Sequence, residues 1–229
     1  MDMLEKRIVT WKDVRSIKDA DSFTAKESMV SLNDLFQTRP RPEMQEYTGS
    51  EIFVRQNVAE RLIMASGQLR LLSMFLLVVY GYRHPRVQES RFYEMLEKLR
   101  RDEENAGMSE EDLYSLTHNF IAVPEVAGHL TGGAVDLTLV NAEGQELDMG
   151  TKISDFRDPE KITTFSTQLT ELQRKNRLYL RMAMMESGFV PFNGEWWHFS
   201  HGDKEWAFWE KRQNAKYNPV LFRTQKEKA

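Results

Sequence analysis

Two short segments hold the residue types from which a catalytic metal site can be built. They are His129-Leu130-Thr131-Gly132-Gly133-Ala134-Val135-Asp136 and Gly194-Glu195-Trp196-Trp197-His198. Two histidines and one aspartate (His129, Asp136 and His198) can give three protein ligands to Zn²⁺ and leave the fourth tetrahedral position to water, the pattern of a catalytic zinc rather than a structural one. Glu195 stands three residues before a ligand and is placed to take a proton from that water. A carboxylate beside a metal-activated water is what amide hydrolysis requires at neutral pH. The chain has no cysteine, so any metal site must draw on histidine and carboxylate.

Such ligands must be fixed on rigid elements. Ala134 to Val140 alternates as a strand and carries Asp136, with Asn141-Ala142-Glu143-Gly144 as the turn after it. Trp196 to Ser200 is the expected last core strand and carries His198. His129 precedes Gly132-Gly133, a pair that lets the chain fold back so that His129 and Asp136 can meet one ion. Glu195 and His198 would face opposite sides of a regular strand, because side chains alternate, so Glu195 is expected in the turn at Gly194. Upstream, Met74 to Tyr80 is apolar on both faces, as in a central buried strand, and delivers Arg83 beyond an abrupt turn at Gly81.

The remaining elements frame these. Val58, Leu62, Ala65 and Leu69 recur at helical spacing and predict a helix over 56–71. Phe92, Leu96 and Leu99 predict another from Val87 to Asn105. Ser109-Glu110-Glu111-Asp112 resembles a capping box before a short helix. A polar loop spans Asp155 to Glu160, and a long helix runs from about Gln168 to Ser187, closed by Gly188 at C′. Residues 1–46 read as an N-terminal extension packed on the main body, with a strand at Met29 to Leu32 and a loop at Arg39-Pro40-Arg41-Pro42. Ile52-Phe53-Val54 is a further short strand. Helices and short strands alternate without a βαβ rhythm, so the expected class is α+β with a small mixed or antiparallel central sheet and flanking helices. Residues 47–229 would form one catalytic domain.

In their order these motifs resemble the signature of the zinc D-Ala-D-Ala dipeptidases, the DD-peptidase branch that includes the vancomycin-resistance dipeptidases. The chain reads His129-x-x-Gly132-x-Ala134-x-Asp136, continues Leu137-Thr138-Leu139, reaches Asp148-Met149-Gly150 and closes Glu195-Trp196-Trp197-His198. Tyr80-Gly81-Tyr82-Arg83, Asn176-Arg177 and Gly188-Phe189 also match, and the resemblance spans about residues 30 to 215. It implies a hedgehog/DD-peptidase-like fold, one zinc per chain on His129, Asp136 and His198, and Glu195 as general base. Arg83 is implied to face the substrate, where a cation would stabilise the oxyanion. Two positions depart from the pattern: Ala127 stands where the family has serine, and His84 separates Arg83 from Pro85. Both concern substrate identity rather than the metal or the base.

The implied activity is hydrolysis of D-alanyl-D-alanine or a similar small D,D-dipeptide. The alternatives are a DD- or LD-carboxypeptidase acting on longer cell-wall peptides, and a zinc-binding module without turnover. Composition fits a soluble globular protein, with 41% hydrophobic and 29% charged residues among 229. A net charge of -4 supplies no basic face for nucleic acid. The longest apolar run, Met74 to Tyr80, is too short to span a bilayer, and no signal-peptide core follows the first residues, so the expected location is cytoplasmic. His84, His118 and His201 read as core or solvated side chains, with His201 nearest the site. Trp196 and Trp197 read as core and pocket wall, Asp148-Met149-Gly150 as a shaped loop, Met182, Met184 and Met185 as helix filler, and Glu103-Glu104 and Glu110-Glu111 as solvated surface.

Overall fold

The apolar run ending at Tyr80 has no polar face to offer solvent, and the fold places it inside a five-stranded sheet. The computed structural model of the protein describes residues 5–21 and 27–224. In chain order come a one-turn helix α1 (Trp11–Val14), strands β1 (Met29–Ser31) and β2 (Gln37–Thr38), α2 (Gln45–Thr48), β3 (Phe53–Arg55), α3 (Gln56–Arg70) and β4 (Phe75–Tyr80). Then follow α4 (Pro85–Arg100), α5 (Glu110–His118), β5 (Ala134–Val140), α6 (Pro159–Ile162), α7 (Glu171–Glu186), β6 (Val190–Pro191), β7 (His198–Ser200) and α8 (Lys204–Trp209). The sheet order is β2-β4-β5-β7-β6, with β2 parallel to β4 and the other pairs antiparallel. β1 and β3 form a separate antiparallel ribbon. The protein is α+β with a mixed sheet.

Burial explains the sheet's composition. All seven residues of β5 are buried, because helices and loops cover both of its faces. One core joins Val58, Leu62, Ala65 and Leu69 of α3 to Leu180, Ala183 and Met184 of α7 and to Val135, Leu137 and Leu139 of β5. The predicted apolar stripe of α3 is thus the face it buries.

The boundaries differ from expectation for local reasons. α4 begins two residues before Val87, because Pro85 takes the first helical position and the His84 Nδ1 accepts the Arg86 amide at 3.3 Å. It ends at Arg100; Asp102 then caps a separate 3₁₀ turn, Glu103–Asn105. α7 begins at Glu171 rather than Gln168, since Thr170 and Gln173 form a capping box. The polar loop expected through Glu160 gives way at Pro159 to α6, capped by Asp158. Trp196 and Trp197 precede the last strand rather than joining it. The two-residue strands β2 and β6 are too short to leave a period-2 signal, and the six-residue α8 has no apolar repeat long enough to read.

Gly81 serves a different purpose from the turn expected of it. A Cβ there would lie 2.5 Å from the Phe53 carbonyl oxygen, so glycine permits close approach of β3 to the end of β4. The Tyr82 amide donates to that same oxygen at 2.6 Å. Gly132 does adopt the left-handed conformation, with φ 73°, and ends the 3₁₀ turn Gly128–Thr131 that carries His129.

Candidate metal centre and its pocket

The pairing of β5 with β7 sets Asp136 directly opposite His198. Directly paired residues of an antiparallel ladder project from the same face, so the register alone brings carboxylate and imidazole together. On the other side Asp136 pairs with Tyr80, next to an irregularity between Val78 and Tyr80 in the β4–β5 ladder. His129 arrives from the 3₁₀ turn, and its carbonyl accepts the Arg83 amide at 3.0 Å, which ties that turn to the end of β4.

The ligand atoms converge. His198 Nδ1 lies 3.0 Å and His129 Nε2 3.3 Å from Asp136 Oδ1. One donor atom from each of the three residues lies within 4.8 Å of the others. Tetrahedral zinc with bonds of about 2.0–2.2 Å sets its ligand atoms roughly 3.3 Å apart, and the two distances to Asp136 Oδ1 are close to that. His129 Nδ1 sits 2.7 Å from the Gly81 carbonyl oxygen, which can only accept, so Nδ1 carries the hydrogen and Nε2 keeps a lone pair facing the other two residues. On His198 it is Nδ1 that faces the site, while Nε2 rests 3.3 Å from Ser200 Oγ. The chemistry and spacing of this donor set fit zinc.

Charge in the cluster follows from burial and neighbours. Burial favours the neutral acid at Asp136, yet its charge contacts and hydrogen bonds with His129 and His198 hold its pKa below the usual carboxylate range. Burial pushes His129 down to about 4. Burial also opposes charge on His198, but the Asp136 hydrogen bond and the negative charges of Asp136, Glu205 and Glu195 more than offset it and raise its pKa to about 9.

Glu195 lies in the turn before β7, where its amide donates to the Phe192 carbonyl at 3.2 Å and its carbonyl accepts from the His198 amide at 3.2 Å. Its side chain lines the same pocket as His129, Asp136 and His198 without joining their cluster. Burial and the Asp136 charge raise its pKa to about 8. Arg83 is 5% exposed. Its Nη1 donates to Gln88 Oε1 at 2.7 Å, and its guanidinium lies 4.1 Å from the Tyr80 ring centroid. Nη2 stands 4.0 Å from Asp136 Oδ2, and Nε is buried without a hydrogen-bond partner. The pocket therefore holds three atoms able to ligate a metal, one carboxyl group with a raised pKa and one incompletely partnered guanidinium.

The other motif residues have structural work. Asn176 donates to the Asp148 carbonyl at 2.9 Å, Gln173 to the Asp148 carboxylate at 2.9 Å, and Arg177 to the Met149 carbonyl at 2.7 Å, so Asp148-Met149-Gly150 is a loop clamped by α7. Trp196 is core and donates to Thr151 Oγ1 at 2.8 Å, whereas Trp197 is buried and lines the pocket. His201, expected nearest the site, packs instead against Phe189, Trp206 and Tyr217 and donates from Nδ1 to the Gly188 carbonyl at 2.9 Å. His84 caps α4 and stacks on Tyr47.

Three pocket contributions had no sequence signal. His118 at the end of α5 lines the pocket and accepts the Val123 amide on Nδ1 at 3.2 Å. Glu205 enters from α8, and Val9 and Val14 from the N-terminal segment. None belongs to a motif; each arrives through tertiary packing.

The family model described as D-Ala-D-Ala dipeptidase matches residues 41–219. The D-alanyl-D-alanine dipeptidase of Synechocystis sp. is 30% identical over 219 residues, which cover 84% of this chain and 88% of that protein. The Escherichia coli D-alanyl-D-alanine dipeptidase is 36% identical over 73 residues, 32% of this chain and 37% of that one. Among solved structures, the vancomycin-resistance D,D-pentapeptidase VanY in complex with Zn(II) covers 72% of this chain and 84% of its own at 13% identity and a TM-score of 0.43. The chain belongs to the D-Ala-D-Ala dipeptidase family and is a metallopeptidase.

Proposed function

We propose that the protein is a zinc-dependent dipeptidase that hydrolyses D-alanyl-D-alanine or a similar small D,D-dipeptide. The observation that carries this is the convergence of His129 Nε2, Asp136 Oδ1 and His198 Nδ1 in a pocket that also holds the Glu195 carboxyl group. The relatives named D-alanyl-D-alanine dipeptidase support the substrate class. A bound zinc supplies Lewis-acid polarisation and an acidified water. Glu195 takes the proton from the attacking water and passes it to the leaving amine. Arg83, steadied by Gln88 and Tyr80, places a fixed positive charge beside the carbonyl oxygen as it gains negative charge. Buried walls, Trp197 and Phe192 among them, keep bulk water out and the local dielectric low.

One observation favours the second reading, a carboxypeptidase for longer wall peptides. Arg91, Ile121, Ser154 and Phe156 line both the catalytic pocket and an adjoining wider groove, which offers room for an extended chain. Release of D-alanine from D-Ala-D-Ala by zinc-loaded protein, measured beside L,L, L,D and longer peptides, separates the two. The dipeptide is expected to be the best substrate, and preference for a pentapeptide would overturn that. Glu195→Gln should keep its zinc and lose roughly 10²–10⁴-fold or more in turnover. A variant without zinc would make Glu195 a ligand, and an active one would make it a bystander.

A further inference from the structure

The two imidazoles of the cluster rest their outward nitrogens on different kinds of partner. His129 faces the Gly81 carbonyl, which can only accept, so its tautomer is fixed. His198 faces the Ser200 hydroxyl, with Nε2 3.3 Å from Oγ. A hydroxyl both donates and accepts, so this contact has two possible directions. If Oγ–H donates to Nε2, the neutral ring keeps its hydrogen on Nδ1, where it blocks a metal. If Nε2–H donates to Oγ, the Nδ1 lone pair is free. Only the second direction serves a metal centre, and it obliges the hydroxyl hydrogen to find an acceptor elsewhere.

Asp203 is placed to be that acceptor. It follows Ser200 after two residues, and both are buried, at 1% and 0% exposed. Its Oδ1 caps α8 by accepting the Trp206 amide at 2.9 Å, while its Oδ2 is buried without a hydrogen-bond partner. Burial pushes the Asp203 pKa up, and the Ser200 hydroxyl is the foremost influence pulling it down. A Cβ on Gly128 would collide with Oδ2, so glycine before His129 makes the room this carboxyl occupies. Capping alone does not call for aspartate, since asparagine and serine cap about as well. An orphan carboxyl oxygen in the interior is costly unless a donor reaches it.

We propose that Asp203 is a positioning residue for the metal centre: it takes the Ser200 hydroxyl hydrogen, so that Ser200 accepts from His198 Nε2 and Nδ1 is left to the metal. The inference rests on the zinc reading above. Partners behind a ligating histidine orient its ring and fix its tautomer, and losing one typically costs about 10–100-fold in metal affinity. Neither Ser200 nor Asp203 is part of the pocket wall, so both act at one remove from the reaction.

Calorimetric zinc titration of the metal-free full chain compares wild type, Ser200→Ala, Asp203→Asn and the double variant. Asparagine keeps the α8 cap, but with its oxygen on the Trp206 amide its NH₂ meets the hydroxyl, which then turns its hydrogen toward Nε2. Each single change should weaken zinc binding roughly 10–100-fold. The double variant should lose no more than the weaker single, since the two residues act in series. In the zinc-loaded protein the His198 Nε2 hydrogen should appear by NMR as a hydrogen-bonded ring proton and move upfield in Ser200→Ala, which loss of a helix cap would not cause. Undiminished zinc binding by Ser200→Ala or by folded Asp203→Asn, or losses that add in the double variant, would overturn the relay. Ser200→Ala leaves the cap intact and decides the case should Asp203→Asn fail to fold. A wild type that binds no zinc would instead refute the zinc reading, and the relay with it.

Discussion

Replacing Arg83 is expected to slow turnover far more than it weakens substrate binding. The side chain is buried, held at Nη1 by Gln88 and across its face by Tyr80, and its Nε has no partner. Its nearest negative charge, Asp136 Oδ2, stands 4.0 Å from Nη2, too far for a tight pair. A cation so incompletely matched in the resting protein gains most when charge develops on the substrate oxygen. Loss of one such donor typically costs about 10²–10³ in kcat, or about 2.7–4 kcal/mol of transition-state stabilisation. Arg83→Ala should fall in that range, and Arg83→Lys should recover part of it, since charge returns without the planar fork. Gln88→Leu removes the bond that aims the guanidinium and should cost less than Arg83→Ala. Steady-state kinetics on a cleaved dipeptide, with zinc content measured for each variant, provides the readout. A rise in KM with kcat unchanged would mean that Arg83 only grips the substrate, and the oxyanion role would fall.

Three further outcomes are expected. Arg177 is 2% exposed and donates to the Met149, Thr163 and Lys161 carbonyls, so Arg177→Met should destabilise the fold by about 3 kcal/mol or more; an unchanged urea midpoint would remove the clamp from the account. His201 has its pKa lowered by burial to about 4 in the folded chain, against about 6.5 when unfolded. The unfolded state therefore binds the proton first, and stability present above about pH 6.5 is lost as pH falls toward 4, by at most about 3 kcal/mol from this group. His201→Gln should flatten the decline of the urea midpoint between pH 7 and 5, and an identical decline would refute the assignment. Removal of residues 1–20 strips Val9 and Val14 from the pocket wall, so activity on N-terminally extended tripeptides should rise relative to the dipeptide; a constant ratio in a folded, zinc-bound variant would show that the segment sets no length limit.

The parts of the site legible in the sequence are those fixed by short-range chemistry. His129 and Asp136 stand on either side of a left-handed glycine, and Glu195 falls in a turn because alternation forbids it from sharing a regular strand face with His198 while serving the same site. The meeting of Asp136 with His198 depends on a strand register beside a ladder irregularity, which no local pattern encodes. It was the order of the motifs, through a family resemblance, that joined the two segments. For the pocket walls there was no such guide. Val9, His118 and Glu205 belong to no motif, and the packing of α1 against α5 and α8 gathers these parts of the chain around the pocket. The long elements were readable from their periodicity, whereas β2, β6 and α8 are too short for a period to show.

The central claim is the metal centre itself, and zinc titration of the metal-free protein tests it most directly. Wild type should bind one zinc per chain, Glu195→Gln should bind it as tightly, and His198→Ala and Asp136→Asn should each lose most of the affinity while keeping the fold by circular dichroism. Equal zinc binding by wild type and His198→Ala would contradict the account.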